Sequence, residues 1–254
     1  MFFPTITHAD PDADLAKQLA NPIASLISVP IEVDFDTSLG PNEDGDRTLL
    51  VFKPVAPFSL NDDWNLITRT IIPFIGLEDI APGVEDESGL GDLQASFFFS
   101  PKAPTSTGWI WGAGAIALLP TASEDSLGSE KWGLGPTAVA LRQQDSWTYG
   151  MLANHVWSFA GEDDRADYDR SFIQPFVTYT TPTALSVTLQ TESSYDWEAE
   201  EWSVPLNLVL GQVTEVGSQL LQLRGGLRYW LDSPDNTGPE GWGFKVGVTL
   251  LFPR

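Results

Sequence analysis

The sequence contains no cysteine, so it can form neither a disulfide framework nor a thiolate metal site. Positive charge is scarce, because 13 Lys and Arg stand against 35 Asp and Glu, for a formal net charge of −22. A phosphate backbone needs a basic surface, which excludes nucleic acid as a partner. No apolar run approaches the roughly 18–20 residues of a membrane-spanning helix. The N-terminus lacks the basic and apolar regions of a signal peptide, so we expect an exported protein to be represented here without its signal.

Aromatic residues, proline and glycine are abundant instead, with 10 Trp, 14 Phe, 19 Pro and 22 Gly. Apolar and polar residues alternate between these turn-forming positions, which predicts an all-β fold. Only the beginning favours a helix, which runs through Leu15 and Leu19 and ends at Asn21-Pro22. The alternation predicts twelve strands, at 23–37, 47–60, 64–75, 91–100, 108–120, 131–143, 146–160, 168–180, 184–196, 201–213, 219–231 and 241–252.

The final segment, GWGFKVGVTLLFPR, has one wholly apolar face and one polar face. Phe244, Val246 and Val248 alternate there with Lys245 and Thr249. A tilted strand needs about 9–11 residues to cross a membrane, and most of the predicted strands reach that length. The pattern is typical of a strand with lipid on one side and a polar lumen on the other.

The connections between the predicted strands alternate in length and charge. Six mostly longer connections hold 23 of the 35 acidic residues, and the five short turns between them hold four. A soluble sandwich, which alternation alone also allows, gives no reason to sort acids to one end. An outer-membrane barrel has short periplasmic turns and long extracellular loops. We therefore predict a transmembrane antiparallel up-and-down β-barrel over 23–254, preceded by a periplasmic segment with a short helix over 1–22.

Two resemblances support this interpretation. The terminal KVGVTLLF resembles the insertion signal of bacterial outer-membrane barrels, with Lys245, Gly247, Leu250 and Phe252 in its characteristic places, although Pro253-Arg254 follow the aromatic residue. Other segments resemble a family of outer-membrane transporters, also labelled neuromedin U and related to barrel proteins of phenol-degradation operons. These segments are LAKQLANPIASLISVPI (15–31), PFSLNDDWNLITRTIIP (57–73), FFFSPKAP (97–104) and EKWGLGPTAV (130–139). The resemblance implies a Gram-negative outer-membrane barrel that contacts lipid and the insertion machinery, and it leaves the solute undefined.

Many basic residues lie in the middle of predicted strands, on faces assigned to the lumen. They are Lys53, Arg69, Arg142, Arg170, Arg224, Arg228 and Lys245, and the acidic residues assigned to the same side are Glu32, Asp34, Asp36, Asp92 and Glu192. Charges buried without partners are costly, so the lumen must be water-filled or internally paired. One interpretation is a constriction that attracts anionic or polar solutes. The other is a ladder of ion pairs that fills a narrow barrel.

An outer-membrane phospholipase-like enzyme is a further alternative, and it depends on His155. Such chemistry needs a serine and a histidine on one lipid-facing side of a strand, two residues apart. Trp157 occupies that position and Ser158 lies on the opposite face, so we expect His155 to belong to an aromatic girdle. His8, the other histidine, lies in the leading segment. The sequence therefore predicts no enzyme.

The remaining motifs carry little chemistry. GAGAIA (112–117) matches a dinucleotide fingerprint, but Pro120 comes too soon for the helix that should follow. The acidic loops lack the spacing and closing Glu of a calcium loop. We expect no cofactor and no metal site of defined geometry, and the sequence leaves open whether the loops bind calcium. The predicted function is a passive channel or transporter for small polar or anionic solutes, with a structural or adhesion-type barrel of closed lumen as the alternative. The oligomeric state is not predicted.

Overall fold

A computed structural model describes residues 11–252, so His8 and Pro253-Arg254 lie outside the described residues. The described chain contains one short α-helix, α1 (Pro11–Leu19), followed by strands. The strands are β1 (Ile27–Leu39), β2 (Gly45–Phe52), β3 (Val55–Ser59), β4 (Trp64–Glu78), β5 (Glu87–Leu90), β6 (Leu93–Pro101), β7 (Trp109–Leu119), β8 (Lys131–Gln144), β9 (Trp147–Gly161), β10 (Asp169–Thr180), β11 (Leu185–Thr191), β12 (Ser193–Asp196), β13 (Glu201–Val216), β14 (Gln219–Asp232) and β15 (Gly241–Phe252).

These fifteen segments form the twelve strands of a closed antiparallel barrel. We call each complete barrel strand a stave, because some of them consist of two segments. Three staves are interrupted for one or two residues, between β2 and β3, between β5 and β6, and between β11 and β12. The last strand pairs with the first, from Ile27 opposite Phe252 to Asp36 opposite Gly243. Closure leaves no sheet edge whose backbone groups would lie unpaired in lipid. The predicted all-β, twelve-stranded barrel with its short N-terminal helix is confirmed.

Large apolar side chains cover the outside of the barrel. Leu208, Leu210, Leu223, Leu227 and Val246 each leave about half of their surface exposed in the isolated chain. Their outward direction follows from the alternation, since the residues between them point into the barrel. Within residues 11–252, no helix is long and apolar enough to cross a membrane.

Aromatic residues form two outward-facing belts above and below this apolar band. Those at the end with the short turns include Trp64, Trp109, Trp147, Tyr179 and Phe252, and those at the end with the long loops include Trp132, Trp157, Trp202, Tyr229 and Trp242. Tryptophan and tyrosine favour the boundary between hydrocarbon and headgroups, because one part of each ring system is apolar and another is polar. The spacing of the belts therefore marks the part of the barrel that spans the membrane.

The N-terminal segment lies inside the barrel at the end with the short turns. Leu15, Ala16 and Leu26 pack against Val213 and Leu251 of the inner wall. Polar contacts tie the same helix to the β8–β9 turn, since Gln143 Nε2 donates to the Lys17 carbonyl over 2.7 Å. The acidic residues of the first turn and Lys17 in the last turn suit the helix dipole.

Residues 20–26 continue from α1 across the lumen before β1 begins. The Asn21 side chain accepts a hydrogen bond from the backbone N–H of Ile23 (3.0 Å), which turns the chain after the helix. Ile23 then inserts into an apolar cluster on the inner wall with Ile67, Phe98 and Leu141. The first strand consequently starts at Ile27, four residues later than the alternation predicted. The boundary between the predicted N-terminal segment and the barrel remains a prediction.

Candidate functional site in the barrel lumen

A band of charged side chains lines the inner wall where β1, β14 and β15 meet. Glu32, Asp34 and Asp36 follow each other at every second position of β1, so all three point inward. Arg228 on β14 and Lys245 on β15 face them from the adjoining staves. The sequence places opposite charges on neighbouring inner faces, and the barrel register brings them into contact.

Arg228 is at the centre of this band. Its guanidinium lies 2.7 Å from Asp34 Oδ2 and 3.1 Å from Asp36 Oδ2, and its Nε donates to Asn207 Oδ1 over 3.0 Å. Lys245 Nζ donates to the same Asp34 oxygen over 2.8 Å. Arg228 and Lys245 are each only 4 % exposed. Such charges must be paired, because a buried charge without a partner costs several kcal/mol.

Glu32 and Glu192 extend the band toward the interrupted staves. Glu32 accepts hydrogen bonds from Lys53 Nζ (2.7 Å) and from Arg224. Glu192 lies 3.1 Å from Lys245 and 3.9 Å from Lys53. Lys53 and Glu192 occupy the gaps between β2 and β3 and between β11 and β12. A local interruption of the hydrogen bonds between strands changes the direction of a side chain. Here the two interruptions bring Lys53 and Glu192 within 3.9 Å of each other.

Arg69 of β4 faces this group without joining an ion pair. Among residues 11–252, no carboxylate oxygen lies within 4.0 Å of its guanidinium. It borders a cavity of about 160 Å³ that is also lined by Lys53, Arg224 and Gln190, with α1 and residues 20–26 closing the other side. Glu32 and Glu192 also line the cavity, so its wall carries three basic and two acidic side chains together with neutral hydrogen-bonding groups.

Sequence reasoning missed three side chains that contact these charges. Arg47 lies 2.8 Å from Asp36, the Trp230 indole N–H donates to Asp36 over 2.9 Å, and Asn207 bonds to Arg228. The signal for Arg47 was its position opposite Asp36 in the β1–β2 register. With Arg47 added, we define the lumen band as ten charged residues. The basic members are Arg47, Lys53, Arg69, Arg224, Arg228 and Lys245, and the acidic members are Glu32, Asp34, Asp36 and Glu192.

Three residues assigned to the lumen do not belong to this band. The inward orientation expected for Arg142 is wrong: Leu141 before it is fully buried in the inner wall, so Arg142 points outward beside Trp109 and Tyr149. Arg170 lies on the inner face of β10, in line with Phe172 and Phe176, but near the long loops and apart from the band, where it pairs with Asp196 over 2.5 Å. Asp92 accepts hydrogen bonds from the backbone N–H groups of residues 121, 122 and 129 and holds a loop.

Comparisons with known proteins were made by sequence and by fold. No protein-family model matches the chain, and no curated protein matches it. An outer-membrane channel from Pseudomonas putida F1 matches by fold at 14 % identity and a TM-score of 0.70, over 90 % of this chain and 96 % of that one. The NanC porin is also similar in fold, at 10 % identity and a TM-score of 0.54, over 88 % of this chain and 98 % of the porin. The outer-membrane phospholipase A of Escherichia coli matches at 10 % identity and a TM-score of 0.54, over 96 % of this chain and 99 % of that one.

The chain is an outer-membrane β-barrel. Its apolar outer band, its two aromatic belts and the shared fold place it in the Gram-negative outer membrane. At identities of 10–14 % these similarities show the fold alone. The chemistry of the lumen is therefore inferred from the residues of this chain.

The residues that resemble an insertion signal lie on both faces of β15. Lys245 and Gly247 face the lumen, and Leu250 and Phe252 face outward at the end with the short turns. Phe252 is 42 % exposed on the barrel surface. This exposure leaves the ring free to contact lipid or the insertion machinery, and the signal itself remains a prediction.

The acidic loops are held by specific contacts. Arg165 lies 3.1 Å from Glu130 and donates two hydrogen bonds of 2.6 Å to the carbonyls of Asp125 and Gly128. Desolvation, and then repulsion from the neighbouring Asp125 carboxylate, raise the pKa of Glu130. Over the described part of the chain, no three His, Asp or Glu side chains converge in a way that could hold a metal ion.

A second polar cluster lies on the outside of the barrel. His155 of β9 points outward, as expected, and its ring lies 4.1 Å from that of Trp157. The neighbouring strand adds two residues that sequence reasoning did not connect with it, Ser171 and Asp169 of β10. They come together because His155 and Ser171 are direct partners in the β9–β10 register.

Proposed function

We propose that this barrel is a channel for the passive passage of small polar or anionic solutes. The observation that carries the proposal is the composition of the lumen band, in which six basic side chains meet four acidic ones although the whole chain has a net charge of −22. A positive constriction between low-dielectric walls concentrates anions and repels cations. The fold similarity to an outer-membrane channel and to a porin is consistent with this function.

Arg69 is the residue that we assign to contact the solute. Arg228 and Lys245 are committed to buried ion pairs, whereas no carboxylate oxygen of the described residues lies within 4.0 Å of the Arg69 guanidinium at the cavity wall. Glu32 and Glu192, on the same wall, attract it from a greater distance. A planar guanidinium binds carboxylate or phosphate groups with two parallel hydrogen bonds. Gln190 and other neutral side chains of the cavity wall would add hydrogen bonds that do not depend on charge.

The N-terminal segment controls access in this proposal. It fills the end of the lumen near the short turns, which we assign to the periplasm because outer-membrane barrels have their short turns there. Passage then requires the segment to move, since Ile23 is buried in the inner apolar cluster. Lipid and the outer-membrane insertion machinery are the partners that we assign to the outer surface.

Conductance across a planar lipid bilayer tests this function. We expect refolded protein to conduct, and its reversal potential in a salt gradient to show anion preference. Arg69→Gln should reduce that preference, whereas Arg142→Gln removes the same charge from the outer surface and should leave it unchanged. A reversal potential that responds equally to both substitutions would contradict the role of the lumen band.

A barrel with a closed lumen is the second candidate function. The low exposure of Arg228 and Lys245, 4 % each, favours it, because a ladder of buried ion pairs fills space as well as attracting ions. The acidic loops would then carry the function. Absence of current from the wild type and from variants with a loosened N-terminal segment would select this alternative.

A further inference from the structure

Three side chains on the lipid-facing surface form a serine, histidine and aspartate arrangement. Ser171 Oγ lies 2.7 Å from Nδ1 of His155, and Oδ1 of Asp169 lies 3.0 Å from Nε2 of the same ring. Turning the ring by 180° would place carbon atoms against both oxygens, so the two contacts fix its orientation. Nε2 and Oδ1 are both buried and neither has a hydrogen-bond partner among residues 11–252, so their 3.0 Å contact lacks hydrogen-bond alignment.

The hydrogen-bond pattern fixes the role of each atom. The indole N–H of Trp197 donates to Ser171 Oγ over 2.9 Å, so the serine hydroxyl accepts there and can donate its own proton to Nδ1. In the neutral ring Nδ1 is then the acceptor and Nε2 carries the hydrogen, with Asp169 Oδ1 3.0 Å from Nε2 but not aligned with its hydrogen. This is a nucleophile that is hydrogen-bonded to a base, with a carboxylate beside the second nitrogen of that base.

The location of the cluster indicates the kind of molecule that could reach it. It lies at the end of the barrel with the long loops, beside the exposed rings of Trp157 and Trp197, which are 49 % and 54 % exposed. Ser171 and His155 are half-buried, so they are accessible from the lipid side of the wall. A molecule with an acyl chain in the outer leaflet would present its ester group at this depth.

We propose that Ser171, His155 and Asp169 hydrolyse fatty-acid esters at the outer surface of the barrel. Ser171 Oγ bonds to the ester carbonyl carbon, and its proton passes to His155 Nδ1. The bond between that carbon and the alcohol oxygen breaks, and the alcohol leaves with the proton from Nδ1. Water then attacks the acyl-serine, its proton again passing through His155, and the fatty acid is released with Ser171 restored. Asp169, 3.0 Å from Nε2, is placed to stabilise the imidazolium that forms when His155 takes the proton.

Covalent labelling tests the nucleophile. Refolded full-length protein in detergent would be treated with a long-chain fluorophosphonate, and the modified peptide identified by mass spectrometry. We expect label on Ser171 in the wild type, none in Ser171→Ala, and labelling slower by a factor of about 100 or more in His155→Ala. Ser203→Ala is the control for a serine on the lumen face at the same end of the barrel, whose side chain makes no hydrogen bond to the described residues, and it should leave the label on Ser171 unchanged.

Turnover of a p-nitrophenyl ester of a medium-chain fatty acid tests the full arrangement. Asp169→Asn should lower kcat about 10-fold or more with KM nearly unchanged, since the carboxylate acts on the base and not on substrate binding. Heat-modifiable gel migration shows that each variant is folded. Folded wild type that takes no label, takes it at another residue, or hydrolyses the ester no faster than Ser171→Ala overturns the proposal. The channel function does not depend on this result.

Discussion

Arg228 and Arg224 lie four residues apart on one strand face but differ in their surroundings. Arg228 neutralises two buried carboxylates, whereas Arg224 shares Glu32 with Lys53. We expect Arg228→Gln to lower the free energy of unfolding by about 3 kcal/mol. This value is at the lower end of the usual cost of breaking a buried ion pair, because Asp34 and Asp36 keep Lys245 and Arg47 as partners. Arg224→Gln should cost about 1 kcal/mol.

Urea unfolding of the barrel in detergent, followed by tryptophan fluorescence, measures both changes. Arg142→Gln is the control, since it removes a positive charge from the outer surface and should change the unfolding free energy by less than about 0.5 kcal/mol. Equal losses for Arg228→Gln and Arg224→Gln would show that pairing and burial in the band do not determine its stability.

Individual residues also show where prediction from sequence succeeded and where it did not. Glu32, Asp34 and Lys245 could be assigned to the lumen because they alternate strictly with large apolar residues. Arg142 could not, because β8 has small residues on both faces, and the contrast that separates inside from outside is weak. Ser171 and His155 lie on two neighbouring strands and are brought together by the register between them. That register could not be predicted from the sequence of either strand alone.

At the level of elements, the N-terminal segment connects the fold to conduction. Ile23 is 3 % exposed in the inner cluster, and a carboxylate there would cost about 2 kcal/mol or more. We expect Ile23→Asp to raise the population of the displaced segment by a factor of about 10–30 and to increase bilayer conductance accordingly. Ile23→Leu keeps the volume and should conduct like the wild type. Higher protease sensitivity of the segment without a rise in conductance would contradict its role as a gate.

The terminal strand provides a second test at the scale of elements. Phe252 and Trp109 are aromatic residues at the same end of the barrel, with similar exposures of 42 % and 38 %. They therefore lose similar lipid contact when they are replaced by alanine. If β15 carries an insertion signal, Phe252→Ala should reduce assembly in the outer membrane more strongly than Trp109→Ala, as measured by the folded fraction in membrane extracts. Equal reductions in assembly for the two variants would show that Phe252 acts as an ordinary lipid contact and not as part of an insertion signal.

On the scale of the whole molecule, the sequence predicted a closed barrel but not how side chains and the N-terminal segment are arranged inside it. Alternating strands and the sorting of acids between connections indicate a barrel with two different ends. The sequence left open whether the interior is a water-filled channel or a paired ladder. The structure combines a charged band on one wall, an apolar cluster with Ile23 on another, and a cavity between them. This asymmetry depends on how distant staves face each other across the lumen, which periodicity within one strand does not report.

The seam between β1 and β15 permits a direct test of closure, because the chain has no cysteine of its own. Val33 and Val246 are direct partners across this seam. Their Cα atoms should therefore lie about 4.5–5.5 Å apart, within the range for a disulfide. We expect the double variant Val33→Cys with Val246→Cys to form an intramolecular disulfide on mild oxidation after refolding. Val33→Cys with Leu250→Cys is the matched control, since Leu250 lies four residues along the strand, about 13 Å away. Non-reducing gel migration and mass spectrometry would detect the bond, and equal crosslinking in both variants, or none in the first, would contradict a closed barrel with this register.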